Sequence, residues 1–138
     1  MSKTLKIVLA VAGAIIALAI TDMLFFVTPL DQRDVDTIAL YVDGANEVSW
    51  KWLDGPRNWW GERHGLCASY RAISNTVVIP RYMESVATDP VMIPTYVHEL
   101  THAKDRREMG FFKYEYTKIL NRSSLERRAE QAEQEVQP

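Results

Sequence analysis

Two histidines four residues apart, with a glutamate directly after the first, are the residues of this chain best suited to chemistry. They occur in the segment TYVHELTHAKD (95–105) as His98, Glu99 and His102. On a helix, positions i and i+4 lie on one face, so both imidazoles can direct a nitrogen at one point. Zinc accepts such nitrogens at about 2.0–2.1 Å in tetrahedral geometry. The spacing therefore indicates a zinc site on a helix.

Glu99 is expected to act on a water molecule and not on the metal. It follows His98 by one residue and is rotated by roughly 100° about the helix axis, so it flanks an open coordination position. Zinc lowers the pKa of a bound water toward about 7, and a neighbouring carboxylate can accept the released proton. The motif thus predicts Glu99 as the general base that activates water for attack on a carbonyl.

A catalytic zinc needs a third protein ligand, and the segment SSLERRAEQAE (123–133) supplies the candidates. Glu130 lies one helical turn beyond Glu126. This spacing allows Glu126 to bind the metal and Glu130 to accept a hydrogen bond from a ligand imidazole, which would orient the ring. Two plainer interpretations remain open. Ser123 and Glu126 match a capping box at a helix start, and Glu130, Glu133 and the arginines match a solvated face.

Hydrophobic periodicity predicts the elements that must position these residues. The predicted helices cover 31–43, 94–109, 111–120 and 125–135, and the predicted strands cover 47–53, 67–73 and 75–80. The first of these helices has a strand through 38–42 as its alternative. The glycines and proline of 54–65 predict a loop. This order of elements is typical of an α+β domain in which helices pack on one small sheet.

Residues 1–27 are expected to be a targeting segment. Two lysines precede an uncharged apolar run, which only Asp22 interrupts. The segment 5–27 is long enough to span a bilayer as an uncleaved transmembrane helix, and the alternative is a secretory signal peptide that ends at Ala19. Either interpretation leaves 28–138 as one catalytic domain on the periplasmic or extracellular side, membrane-anchored or secreted. A buried helix of a soluble protein is the third interpretation.

Composition argues against several classes of protein. The 138 residues include 16 lysines and arginines and 18 aspartates and glutamates, for a net charge of −2. This balance gives no basic surface for nucleic acid, so we expect no nucleic-acid partner. The single cysteine, Cys67, cannot form an internal disulfide and excludes a CxxC metal site. The length fits one domain.

HELTH followed by a glutamate helix of the form ExxAE resembles the gluzincins, the thermolysin-like branch of the zincin metallopeptidases. In that family an HExxH helix is followed by a second helix with ExxxD. The chain is also similar to small predicted bacterial peptidases of this type. The resemblance implies a small zincin-like domain, with a short sheet packed on the HExxH helix, and Zn²⁺ as the cofactor. It assigns His98, His102 and Glu126 as metal ligands, Glu99 as the general base and Glu130 as the carboxylate behind a ligand.

The resemblance extends to substrate binding. It implies that the strand NTVVI (75–79) pairs with the backbone of an extended peptide. His64, Tyr114 and Tyr116 are candidates for stabilising the oxyanion. The chain also has four tryptophans that could form a substrate platform or a membrane-interface belt, although core packing is expected for most of them: Trp50, Trp52, Trp59 and Trp60.

These residues together predict a metalloprotease, a zinc-dependent hydrolase that acts on peptide or protein substrates. An amidase of peptidoglycan cross-links would use the same chemistry. The alternative is a non-catalytic, membrane-anchored interaction domain, in which the same ligands hold zinc and a protein group such as Glu130 fills the fourth position. A metal-free interaction protein is the third hypothesis.

Overall fold

A computed structural model describes the backbone of residues 1–137 and their side chains except those of residues 19 and 22–25. Within these residues the chain forms six α-helices and four strands in the order α-β-α-β-α-β-β-α-α-α. The helices are α1 (Lys3–Phe25), α2 (Gln32–Ala39), α3 (Pro56–His64), α4 (Ile93–Met109), α5 (Phe111–Leu120) and α6 (Arg122–Glu135). The strands are β1 (Val27–Pro29), β2 (Ser49–Leu53), β3 (Ser69–Arg71) and β4 (Thr76–Pro80). The predicted α+β class is confirmed.

The four strands form one mixed sheet in the order β1-β2-β4-β3. β2 and β4 are parallel, with Trp50 opposite Val77, while β1 and β3 pair antiparallel with their neighbours. Because β4 has a partner on both sides, its backbone is not free to pair with a peptide. The expectation that 75–79 would receive the substrate is therefore wrong. The edge strand β3 contacts α4.

The core lies between this sheet and α4. Trp50 packs edge-on against Tyr96 of α4, with ring centroids 5.2 Å apart, and the Tyr96 hydroxyl donates to the Ala87 carbonyl at 2.6 Å. Trp50 and Trp52 are buried in this core, as expected. Trp59 and Trp60 are instead exposed on α3. Because one face of α4 packs on the sheet, the face that carries His98 and His102 is turned toward α6.

The predicted helix over 94–109 is confirmed as α4. Pro94 lies in its first turn, where the missing backbone N–H costs nothing. Gly110 ends it with φ 82° and ψ 157°, a conformation open almost only to glycine. Because α5 starts at the next residue, Gly110 alone sets the direction in which α5 leaves α4.

Two sequence predictions need correction. Residues 54–65 contain helix α3 and are not a loop, because Pro56 occupies the first helical turn and Gly65, at φ 68°, closes the last one. The predicted helix over 31–43 forms, capped by the Asp31 side chain, but it ends at Ala39, before the expected stop at Gly44.

Helix α1 occupies the predicted targeting segment. Ser2 caps it, with its Oγ accepting from the backbone N–H of Leu5 at 3.1 Å. Most of its described apolar side chains are exposed. No helix in the described part of the chain is long and apolar enough to cross a membrane. The side chains of Ala19 and Asp22, on which the cleavage and anchor interpretations depend, lie outside that part.

Candidate metal centre

Helix α4 brings the two motif histidines together as their spacing predicts. The Nε2 atoms of His98 and His102 lie 3.3 Å apart, and the two rings are close to perpendicular. His102 is buried, with 7% of its surface exposed, while His98 is partly exposed. One face of α4 therefore presents two imidazole nitrogens at one point beside solvent.

Helix α6 adds a carboxylate to the same point. It packs on α4 through Leu125 and Ala129, which are 1% and 0% exposed. This packing directs Glu126 to the histidines, with Oε2 at 3.4 Å from Nε2 of His98 and Oε1 at 3.7 Å from Nε2 of His102. One donor atom from each of the three side chains lies within 4.8 Å of the others.

The capping-box interpretation of Glu126 is not supported. Ser123 lies inside α6, after Arg122, and its hydroxyl donates to the side-chain oxygen of Asn121 at 3.2 Å. The Glu126 side chain instead reaches the imidazoles and Arg122, whose Nε lies 3.4 Å from Oε1. Glu126 is therefore positioned by the histidine cluster and not by the helix end.

The spacing of the donor atoms is compatible with a metal ion such as zinc. Ligands bound at about 2.0–2.1 Å in a tetrahedron are separated by roughly 3.3–3.4 Å. The distances from Nε2 of His98 to Nε2 of His102 and to Oε2 of Glu126 are 3.3 and 3.4 Å. Two imidazoles and one carboxylate also form a donor set typical of a catalytic zinc with one open position. These three side chains could therefore hold a metal ion.

The carboxylate behind His98 is Glu133 and not Glu130. Oε2 of Glu133 lies 3.1 Å from Nδ1 of His98, while Glu130 is exposed on the outer side of α6. The reason is the docking of α6 through Leu125 and Ala129. At about 100° per residue, Glu133 lies roughly 40° from Ala129, whereas Glu130 lies roughly 100° from it. A hydrogen bond from Nδ1 to Glu133 would leave Nε2 of His98 without a proton and able to accept a metal ion.

Glu99 is held at the site by the sheet edge. Its Oε2 accepts the backbone N–H of Tyr70, in β3, at 2.7 Å. Burial raises the pKa of Glu99 to about 7, a rise that the Tyr70 hydrogen bond and the nearby His98 oppose. The negative charges of Glu126 and Glu133 raise it further. Among the described residues, Glu99 is thus a buried carboxylate with a fixed position and a raised pKa.

His102 is kept neutral by its surroundings. Burial lowers its pKa to about 4, and although Glu126 opposes this shift, His98, Lys118 and Arg122 add to it. Its Nδ1 is buried and has no hydrogen-bond partner within the described residues. A neutral imidazole is the form that binds a metal, so the ring requires no deprotonation near neutral pH.

These groups line a cavity of about 200 Å³. Its walls are formed by Ser69, Tyr70, His98, Glu99, His102, Tyr114, Lys118, Arg122, Leu125 and Glu126. Of the three oxyanion candidates, only Tyr114 lies here. His64 stacks on Trp60 in α3, and Tyr116 is exposed. A larger cavity of about 480 Å³ opens on another face of α4 and contains none of the metal-binding group.

Two cations of this cavity, Lys118 and Arg122, are not among the site residues predicted from the sequence. Lys118 lies one turn after Tyr114 on α5, and Arg122 lies in the first turn of α6. The i,i+4 spacing of Tyr114 and Lys118 was the available signal. It could be used only once Tyr114 was known to face the histidines.

Comparison with known proteins adds no relative to these observations. No protein-family model, curated protein or solved structure matches this chain. The resemblance to the gluzincins therefore stays a prediction carried by the motif residues.

Proposed function

We propose that this chain is a zinc-dependent hydrolase of peptide bonds with a zincin-like arrangement of its helices. The observation that carries the proposal is the convergence of His98, His102 and Glu126 beside the buried carboxylate of Glu99. Three ligands leave one tetrahedral position for solvent or substrate. A purely structural zinc site would have a fourth protein ligand, and Glu130, the expected candidate, is exposed and does not line the cavity.

When bound, zinc would lower the pKa of a coordinated water and polarise a substrate carbonyl. Side chains of the protein would accept and transfer the proton that this water releases. Glu99 accepts it from the attacking water and later delivers it to the leaving amine. The Tyr70 N–H keeps the Glu99 carboxylate in one orientation during both transfers. Tyr114 supplies a hydroxyl donor toward the oxygen on which negative charge develops. Burial raises the pKa of this hydroxyl, which favours its protonated form.

A peptide substrate would approach along β3. This strand is the sheet edge next to α4, but it is only three residues long. The Tyr70 N–H, which points away from β4, is already bonded to Glu99. Of the Tyr70 backbone groups that point away from β4, only the carbonyl is left to pair with the backbone of a substrate. The substrate is therefore positioned mainly by the metal and by side chains of the cavity.

The proposal includes a role for α1, which would attach the chain to a membrane. Its exposed side chains include Leu5, Ile7, Val8, Leu9, Val11, Ile15, Ile16 and Leu18. A lipid surface would cover this apolar area, and Lys3 and Lys6 would stay at the cytoplasmic headgroups. The β1–β2 ladder then holds the catalytic domain next to the far end of α1, because Val27 pairs with Leu53.

The test is peptide cleavage by the full chain in detergent, with a quenched fluorescent peptide library and zinc added to one equivalent. We expect cleavage that a chelator abolishes and that zinc restores. Glu99→Gln should retain one zinc per chain and lose at least about 100-fold in turnover, since general-base catalysis contributes roughly 10²–10⁴-fold.

Glu108→Gln is the matched control for this test. Glu108 lies on α4 and is exposed, away from the cavity, so its loss should leave turnover within twofold. If Glu99→Gln cleaves as fast as the wild type, or the zinc-loaded wild type cleaves no peptide, the hydrolase proposal is refuted. A zinc stoichiometry of one without turnover would favour the structural-zinc alternative.

A further inference from the structure

The cavity is asymmetric in charge. Lys118 and Arg122 line the side formed where α5 ends and α6 begins, while Glu99 lies on the side of β3. Arg122 is paired with Glu126, at 3.4 Å between Nε and Oε1. Lys118 has no acidic side chain within 4.0 Å among the described residues. Within the described part of this wall, the Lys118 ammonium group is therefore the cation without an ion pair.

The size of the cavity limits which groups of a substrate can reach Lys118. About 200 Å³ is the volume of roughly six or seven water molecules, which is room for about one residue of a bound peptide beside the reacting carbonyl. A group held there lies next to the cleaved bond. The group that complements an ammonium and a guanidinium in this space is a carboxylate.

We propose that Lys118, supported by Arg122, forms a carboxylate-binding subsite, and that the chain therefore prefers peptides with a carboxylate beside the bond that it cleaves. This inference rests on the proposed function and names its substrate class. The carboxylate can come from the free C-terminus of a peptide or from an aspartate or glutamate side chain. Lys118 would act here as a specificity-determining residue, since it lines the cavity but is not one of the residues assigned to the metal or to the reacting water.

The test measures binding first, so that it does not depend on turnover. The zinc-loaded full chain carrying Glu99→Gln is titrated with N-acetyl-Ala-Ala and with its C-terminal amide, and separately with N-acetyl-Ala-Glu-Ala-amide and its glutamine counterpart. We expect one of the two carboxylate probes to bind about fivefold more tightly than its neutral partner, or about 1 kcal/mol. The pair that shows the preference identifies the source of the carboxylate.

Three variants connect this preference to Lys118. Lys118→Gln should bring the paired affinities within 1.5-fold, while Lys118→Arg should keep the preference because it keeps the charge. Lys113→Gln, on an exposed position of α5 outside the cavity, should change nothing. Raising the salt to 0.5 M should shrink the preference, because the screening length falls to roughly 4 Å.

The outcomes separate this inference from the proposed function. If neither carboxylate probe is preferred, or if Lys118→Gln keeps the full preference because the metal alone holds the carboxylate, the subsite is refuted. If the preference depends on Lys118 but the wild-type chain cleaves no peptide, the subsite stands and the hydrolase proposal fails.

Discussion

The hydrogen bond between His98 and Glu133 indicates that Glu133 supports zinc binding, a role that sequence spacing assigned to Glu130. We expect Glu133→Ala to weaken zinc binding, since Glu133 lies 3.1 Å from Nδ1 of His98 and orients the ring. Loss of such an outer partner typically costs 10–100-fold in metal affinity, or about 1.4–2.7 kcal/mol. The Glu133 side chain is 31% exposed, which favours the lower end, about tenfold.

Glu130→Ala is the matched control for this prediction. It removes the same side chain from the same helix, three residues earlier, where the carboxylate is exposed and points away from the imidazoles. Its zinc affinity should stay within twofold of the wild type. Glu133→Gln keeps an acceptor atom without the charge, and its affinity should fall between those of the wild type and Glu133→Ala.

The assay is competition for zinc against a chromophoric chelator at pH 7.5, with zinc-free melting curves to show that the variants fold equally. Equal affinities for the wild type and Glu133→Ala would refute the orienting role. Equal losses in Glu133→Ala and Glu130→Ala would show that general charge on α6, and not this contact, attracts the metal.

Three further predictions follow from the site and its packing. Zinc at 100 times its Kd should stabilise the fold by about 2.7 kcal/mol and raise the melting temperature by roughly 5–10 °C in calorimetry; an unchanged curve would contradict a metal site. Leu125→Ala should cost about 2–5 kcal/mol in urea unfolding because Leu125 is 1% exposed, whereas exposed Leu120→Ala should stay within about 0.5 kcal/mol. Without zinc, two shifted pKa values affect the stability of the fold in opposite directions. The raised pKa of Glu99, about 7, gives stability at low pH that is lost as pH rises from 4.5. The lowered pKa of His102, about 4, gives stability at neutral pH that is lost as pH falls from 6.5. Glu99→Gln removes the first of these opposing effects, so its melting temperature should rise more steeply than that of the wild type between pH 4.5 and 6.5, and parallel curves would contradict this reasoning.

Local patterns predicted the elements that carry the chemistry. The helix over 94–109 was predictable because its proline and glycine mark its ends, and the i,i+4 histidines share a face in any helix. The same two residue types led to the wrong prediction of a loop over 54–65. There they mark the two ends of a nine-residue helix. Proline and glycine mark the ends of elements, and the short segment between them gave too few residues for a helical period to be visible.

The parts of the site that depend on tertiary packing could not be predicted. Glu130 and Glu133 are equally plausible partners of a histidine until the buried face of α6 is known, and Leu125 and Ala129 define that face only against α4. Lys118 belongs to a different helix, and its approach to the histidines depends on the turn at Gly110. Sequence spacing fixes relations within one helix, whereas relations between helices depend on packing.

Gly110 has a consequence for how this molecule could change over evolution. The groups assigned to bond cleavage on α4 precede it, and the cation assigned to substrate choice, Lys118, follows it on α5. A single residue with a conformation nearly exclusive to glycine joins the two. Replacement of Lys118 or of outward-facing positions in 111–120 could therefore retarget the protein to different peptides while Tyr114 and the residues that hold the ion stay unchanged. Reaction and recognition would then be free to diversify at separate rates.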